Sequence, residues 1–314
     1  MARTIRNPRL IQLLPKVRGV LSENVNLAKL TWFRVGGPAE VFFRPADELD
    51  LKNFLEGTPE EIPITILGVC SNLLIRDGGI PGVTIRLGHG FNRLVASDNT
   101  ITSGAAVSNL KIANFALDKG LTGLEFLSGI PGSLGGSIRM NAGAYGSEIK
   151  DYIQNVRMIS RAGVPSEVIV SKLDFGYRKC NITSEQIFLE ATLKGRPSAK
   201  SKIRQKLDQV KSFRNLNQPI KLSTGGSTFV NPPEAAAWEL IEKAGCRGLT
   251  RGDAKVSEKH CNFLINLGNA TAEELEELGE DIRSRVYECS GIKLEWEIIR
   301  VGIRANEQSQ GAVS

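Results

Sequence analysis

The sequence predicts an α+β protein of two domains, and three observations carry that expectation. At 314 residues the chain is longer than one hydrophobic core ordinarily serves. Its 41% hydrophobic and 24% charged content is ordinary for a globular protein, so each domain can bury a core. Strand and helix signals are interspersed along its length, and the composition breaks sharply near residue 200.

In chain order, residues 31–45 read as a turn at Gly36-Gly37-Pro38 leading into a short strand. Ile62 to Leu67 forms a second strand, ending in Gly68-Val69-Cys70-Ser71-Asn72-Leu73-Leu74. Gly82 to Leu87 and Val95 to Thr102 continue the β pattern. Ser108 is placed as an N-cap, with Leu110, Ala113, Phe115 and Leu117 on a helix that stops at Gly120. Strands follow at Ile153–Arg161 and Glu185–Lys194. Between Lys194 and Lys221 nine cations face one acid, Asp208, and Ile203, Leu207, Val210 and Phe213 share one helical stripe. This amphipathic basic helix marks the expected domain boundary. Pro232 and Pro233 open the way to a helix carrying Ala237, Leu240, Ile241 and Ala244, closed by Gly245. Cys261 to Leu267 reads as a strand. Thr271 and Glu274 form a capping box for a helix with Leu275, Leu278, Ile282 and Val286 inside, ended by Gly291. Ile292, Leu294, Trp296 and Ile298 then alternate with Lys293, Glu295 and Glu297, the period of a last strand. The tail after Arg304 is polar and expected to fray.

Charge and cysteine usage narrow the setting. Arg3, Arg6, Arg9, Lys16 and Arg18 precede the first acid, Glu23, as in organelle transit peptides. Pro8 and Pro15 interrupt any long amphipathic helix there, so a basic arm of the mature protein is expected. No apolar run approaches a membrane span and no signal-peptide core occurs, so no membrane partner is expected. Cys70, Cys180, Cys246, Cys261 and Cys289 are odd in number and show no C-x-x-C spacing, which favours reduced thiols in a cytosol over a disulfide frame or zinc. With only His89 and His260, no metal centre is expected.

One stretch stands apart: Gly129 to Gly146, in which six of eighteen residues are glycine. So few side chains expose backbone N–H groups and let a ligand approach them closely. Successive N–H groups form concavities that suit phosphate without a lysine. Neither a Walker loop nor a G-x-G-x-x-G fingerprint is present. The strand-to-turn segment Gly68–Leu74 is a second, weaker candidate cradle. A glycine loop packed for steric reasons is the alternative reading of the first.

Together these motifs resemble the UDP-N-acetylenolpyruvoylglucosamine reductase family, flavoenzymes that complete UDP-N-acetylmuramate for peptidoglycan. The resemblance rests on Thr31–Ala39 (TWFRVGGPA), Gly68–Leu74 (GVCSNLL), Gly129–Gly146, Gly225–Pro232 (GGSTFVNP) and Leu294–Gly302 (LEWEIIRVG), in order and nearly end to end. Val256–Asn266 (VSEKHCNFLIN) fits the family's shorter branch. The resemblance implies a first domain over 1–200, its core at about 34–198, binding FAD in the vanillyl-alcohol-oxidase manner. A smaller α/β substrate domain would follow over 201–314, with residues from about 298 returning to the N-terminal part. Gly68, Ser71, Asn72, Pro131, Gly132, Ser133, Gly135 and Gly136 would then cradle the diphosphate of non-covalent FAD. Asn141 and Gly143 would lie near the isoalloxazine.

For the chemistry, the resemblance implies hydride passing from NADPH to FAD to the terminal enolpyruvyl carbon. Arg178 occupies the position for stabilising the developing enolate, where a planar guanidinium suits a carboxylate better than lysine. Ser227 occupies the proton-donor position, and a serine needs a hydrogen-bond network to act as an acid. Glu297 matches the family's second essential residue; Glu295 shares its strand face, and only motif register separates them. Tyr177 and Asn231 match substrate contacts, and Arg214 is placed toward the UDP diphosphate. A cytoplasmic monomer acting on UDP-N-acetylglucosamine enolpyruvate is expected, with no nucleic acid.

The chain departs from the family at several points. Val69 and Cys70 stand where smaller residues are common. Val230 and Asn217 stand where basic residues are common. The short interval from Arg178 to Ser227 holds no tyrosine-bearing insertion, as in the loop-lacking branch. Two other readings stay open at this level. One is a different FAD-dependent oxidoreductase of the same fold, with His89 available for covalent attachment. The other is a non-catalytic nucleotide-binding module whose basic helix meets nucleic acid.

Overall fold

Val20–Asn26 (β1) and Pro38–Arg44 (β2), the latter burying Val41, Phe42 and Phe43 in succession, form an antiparallel pair at one edge of a four-stranded sheet. The computed structural model describes residues 9–307; Arg3, Arg6, Pro8 and the tail beyond residue 307 lie outside the described residues. Asp47 caps Glu48–Gly57 (α1), accepting from the Asp50 amide, and the helix buries Leu51, Phe54 and Leu55. Ile64–Leu67 (β3), Leu73–Ile75 (β4) and Ile80–Arg86 (β5) follow, and the sheet order is β1-β2-β5-β3, with β2, β5 and β3 parallel. The register of β3 and β5 sets Leu67 opposite Arg86.

Leu94–Ser97 (β6) and Thr100–Gly104 (β7) form a hairpin turning at Asp98, which takes φ +50°. The expected single run over Val95–Thr102 is therefore two strands, because Asp98 and Asn99 supply turn chemistry. Ser108 caps Asn109–Asp118 (α2) as expected, and Gly120 ends it at φ +69°. After the short helix Leu134–Arg139 (α3), the strands Ile153–Ser160 (β8), Pro165–Ile169 (β9) and Gln186–Lys194 (β10) complete an antiparallel sheet ordered β9-β8-β10-β7-β6. One face of this sheet meets α1 and the first sheet through Ile159, Ile187 and Leu189. Its other face packs on Ile112, Ala113 and Ala116 of α2.

The basic helix Lys200–Asn217 (α4) buries Ile203 and Leu207 in that same core. The structure differs here from a boundary at residue 200: composition changes at α4, but its apolar stripe packs on the first unit. The stripe also weakens toward the C-terminus, where Phe213 is 53% exposed.

The second core joins Ala237–Lys243 (α5) to Ala272–Ser290 (α6) and a small sheet of Thr250–Arg251 (β11), Ala254–Val256 (β12) and Leu264–Asn266 (β13). The Thr271–Glu274 capping box and the left-handed Gly291 bound α6 as the sequence indicates. Residues 292–298 keep their alternating burial, with Leu294 and Ile298 in the core, yet they form no ladder strand. They pair through the single bridge Phe229–Trp296 and through Glu297 N–H to the Thr228 carbonyl, 2.8 Å. Only Ile299–Val301 (β14) is a strand, and it runs parallel to β4 with Ile299 opposite Leu73. Phe33, Val35 and Leu74 also enter the second core, so the two halves are sewn together.

A buried carboxylate reinforces the seam. Glu276 on α6 takes a two-pronged bond from Arg76, 2.9 and 2.8 Å, and a third from Arg300 on β14, 3.2 Å. The Arg76 bond above all, with the charges of Arg76 and Arg300, holds its carboxyl below the usual range against the pull of burial. Glu276→Gln is expected to lower stability by about 3 kcal/mol near neutrality, since it leaves the Arg76 guanidinium without its counter-charge while Arg300 keeps only Glu280. Because the folded state depresses this carboxyl, the wild-type advantage is full above the ordinary glutamate range and fades as pH falls through the lowered value. Chemical denaturation of both proteins across pH reads this directly; equal midpoints near neutrality contradict it.

Candidate active site

The two glycine-rich turns meet. β3 ends into Gly68–Asn72, and the Ser71 hydroxyl donates to the Pro131 carbonyl at 2.8 Å, joining the turns across sixty positions of sequence. Gly132 takes φ +150°, and a Cβ there would stand 3.2 Å from the Asn109 amide. A Cβ on Gly68 would come within 3.1 Å of the Ser133 hydroxyl. Side chains at these points would fill the concavity. Leu134 and Gly135 donate their N–H groups to Val107 and Ala105. Gly135 therefore lines the cavity without the free donor the sequence assigned to it. The N–H groups of Gly132, Ser133 and Gly136 are taken by no backbone carbonyl among the described residues.

These turns form part of the wall of a cavity of about 1190 Å³. Of the residues singled out from sequence, Gly68, Ser71, Asn72, Pro131, Gly132, Ser133, Gly135, Gly136, Gly143, Tyr177, Arg178, Arg214, Ser227, Asn231 and Glu297 all line it. Asn141 does not. It is fully buried, donating to the Gly176 carbonyl at 2.8 Å and to Glu148 at 3.1 Å. Its amide thus braces the Phe175–Cys180 hairpin instead of facing a ligand, because that hairpin folds directly over it.

The hairpin carries Tyr177 and Arg178 at its tip. Arg178 adopts φ +54°, a left-handed conformation that costs a non-glycine residue energy and is held by its surroundings. Its Nε donates to Glu297 at 3.1 Å and its other arm to the Gly143 carbonyl at 2.9 Å, while the guanidinium stacks over Tyr177. Glu297 comes from the opposite end of the chain, 119 positions away. Ser227 sits beside this pair because the neighbouring Thr228 carbonyl accepts the Glu297 N–H. Its hydroxyl carries no protein hydrogen bond among the described residues. Glu295 is exposed, whereas Glu297 is half-buried in the cavity wall.

Burial pushes the Glu297 carboxyl above its ordinary range, while the charge and hydrogen bond of Arg178 pull it down. Burial also lowers the Arg214 guanidinium below its usual value. Asn231 lines the cavity, yet its Oδ1 accepts the Ala237 N–H and caps α5. Asn72 spends its amide on the Glu297 carbonyl, 3.0 Å, so the cradle and the C-terminal segment share a bond. Two positioning residues escaped the sequence reading. Asn109, fully buried, donates to the Ile130 carbonyl and exchanges bonds with Ser137. Asn262 clamps both backbone groups of Phe229, fixing the extended segment that carries Ser227. A buried asparagine has no spacing signal, since its partners are set by tertiary contact. His89 lines the cavity at an exposed position beside Asn92.

Comparison with known proteins agrees with this geometry. Residues 39–167 match the family model described as an FAD binding domain, and residues 218–301 match that of the C-terminal domain of UDP-N-acetylenolpyruvoylglucosamine reductase. The chain is 51% identical to the UDP-N-acetylenolpyruvoylglucosamine reductase of Azorhizobium caulinodans over 95% of its length and 97% of the relative's. It is 51% identical to that of Parvibaculum lavamentivorans over 94% and 95%. A crystal structure of UDP-N-acetylenolpyruvylglucosamine reductase from Thermus caldophilus superposes with a TM-score of 0.79 at 33% identity, covering 91% of this chain and all of that one.

The opposing influences on Glu297 make a direct prediction. A carbon-13 NMR titration of its carboxyl is expected to find it above the ordinary glutamate range, and Arg178→Met should raise it further by removing the one cation that favours the charged form. A value at or below the ordinary range, or a fall in the variant, contradicts the geometry.

Proposed function

The chain belongs to the UDP-N-acetylenolpyruvoylglucosamine reductase family, and from that premise we propose that it reduces UDP-N-acetylglucosamine enolpyruvate to UDP-N-acetylmuramate, with NADPH as electron donor and FAD bound without a covalent link. The reaction is taken to run in the cytoplasm on a monomer. The observation that carries the reading is the bond from Arg178 to Glu297, formed in the wall of the cavity that Ser227 also lines.

The residues fit FAD. Free N–H groups at Gly132, Ser133 and Gly136, with the Gly68–Asn72 turn opposite, suit a diphosphate held by backbone donors. Bound there, FAD would supply the hydride chemistry that connects NADPH with the terminal enolpyruvyl carbon. Arg178 holds the substrate carboxylate and offsets the negative charge that grows on it as the double bond is lost. Its left-handed backbone and its bonds to Gly143 and Glu297 keep the guanidinium preorganised, so no reorientation is needed when that charge appears. Ser227 gives its hydroxyl proton to the carbon next to the carboxylate. Glu297, whose carboxyl burial pushes above its ordinary range, polarises the same carbon's surroundings. Tyr177, Arg214 and Asn231 are assigned to the substrate, with Arg214 toward its diphosphate and Asn231 through the α5 terminus that it caps. The cofactor falls to the unit before residue 200 and the substrate to the one after it, with α4 packed on the former.

Anaerobic absorbance spectroscopy tests the proposal. The wild type should be yellow, release its flavin on denaturation, bleach with NADPH and recolour with UDP-N-acetylglucosamine enolpyruvate. Ser227→Ala should bleach normally but recolour at least about 100-fold more slowly, the usual weight of a positioned proton donor. A wild type that bleaches and never recolours contradicts the substrate. A Ser227→Ala protein that recolours as fast as wild type contradicts the proton donor.

A further inference from the structure

The cavity is lined by Arg44, Arg86, Arg139, Arg178 and Arg214 but by one carboxylate, Glu297. Three of these cations have evident occupations, and a fourth, Arg44, has no such bond among the described residues but stands open to solvent. Arg178 is held by Glu297 and Gly143, and Arg139 by the carbonyls of Ile182, Thr183 and Gln186. Arg214 bonds Gln218, and Arg44 is exposed at the rim. Arg86 is different. It is half-buried, lines the cavity, and has no hydrogen bond or ion pair from its guanidinium among the described residues.

Its position follows from strand register. Arg86 is the last residue of β5 and lies opposite Leu67, the last residue of β3. Both strands are parallel, so Arg86 leaves the same carboxyl edge of the sheet from which the Gly68–Asn72 turn departs. That edge is where parallel sheets receive ligands. The guanidinium is also close enough for its charge to favour the ionised form of the Cys70 thiol, inside that turn. A cradle made of backbone N–H groups offers only partial charges, whereas a diphosphate carries two full negative charges. A guanidinium without a counter-ion beside such a cradle supplies what the backbone lacks, through a charge-assisted bond.

We propose that Arg86 binds the diphosphate of the cofactor and is the charge partner of that backbone cradle. The inference rests on the reading of the cavity as an FAD site and names the residue on which the site's charge balance depends. Side-chain bonds to charged groups are strong enough that losing one costs about 10- to 100-fold in affinity.

Flavin-free protein is titrated with FAD at several ionic strengths, with flavin fluorescence as the readout, for wild type, Arg86→Gln and Arg86→Lys. Inorganic diphosphate serves as the competing probe. Arg86→Gln is expected to weaken FAD about 10- to 100-fold, to flatten the salt dependence of binding and to abolish competition by diphosphate. Arg86→Lys should keep both the salt dependence and the competition. An Arg86→Gln protein that binds FAD with wild-type affinity and salt dependence overturns the inference. If Arg86→Gln does not fold without flavin, Arg86→Lys decides, and a folded Lys variant that diphosphate no longer competes with also overturns it. A wild-type protein that takes up no FAD overturns the functional reading instead, so the two failures are distinct.

Discussion

A three-residue strand pairing is the constraint on which the rest of the site depends. Ile299–Val301 lies parallel to Leu73–Ile75, next to the turn that Gly68–Asn72 makes. This pairing draws Glu297 to within reach of the Asn72 amide and, from the other side, of the Arg178 guanidinium. Without it, a carboxylate from the end of the chain and a glycine turn from its first quarter would belong to separate bodies. The Glu276 network with Arg76 and Arg300 strengthens the same seam a few residues away. Three bonds to one buried carboxylate make the seam costly to open, because Arg76 would be left without its carboxylate in a partly dehydrated place.

Electrostatics inside the cavity follow from this seam. A lone carboxylate among arginines would ordinarily be held ionised. At Glu297 burial pushes the carboxyl above its ordinary range, against the pull of the Arg178 charge and hydrogen bond. The same Arg178 that steadies Glu297 is committed by a left-handed backbone to point across the cavity, so positioning and charge are set by one hairpin tip. Asn141 underwrites that tip from below through the Gly176 carbonyl, and Asn262 steadies the Ser227 segment from the far side. Both segments are thus held by buried asparagine amides.

What was legible in the sequence was local. Ser108, the Thr271–Glu274 box and Gly291 mark helix ends because a cap satisfies backbone groups within one turn of itself. Glycine density revealed the cradle, since glycine leaves backbone donors uncovered. The alternation from Ile292 to Ile298 placed Leu294 and Ile298 inside and Lys293 and Glu295 outside, but it missed the half-burial of Glu297 and misjudged the structure: period-two burial needs only an extended chain, not a ladder. Long-range facts were illegible. Asn141 turns away from the cavity because its partner lies 35 residues on. The apolar stripe of α4 belongs to the first core because α2 offers it a surface, which the shift in charge at residue 200 does not encode. The Leu67–Arg86 register, which brings a cation to the cradle, exists only once β3 and β5 pair.

The central claim is that two glycine turns and a C-terminal segment form one ligand site. Amide hydrogen exchange on flavin-free protein, with and without added FAD, tests it most directly. The account predicts that FAD slows exchange together at residues 68–72, at residues 130–137 and at residues 297–299, with the last responding through the Asn72 bonds. Protection confined to one turn, with the other and the C-terminal segment unchanged, would contradict it.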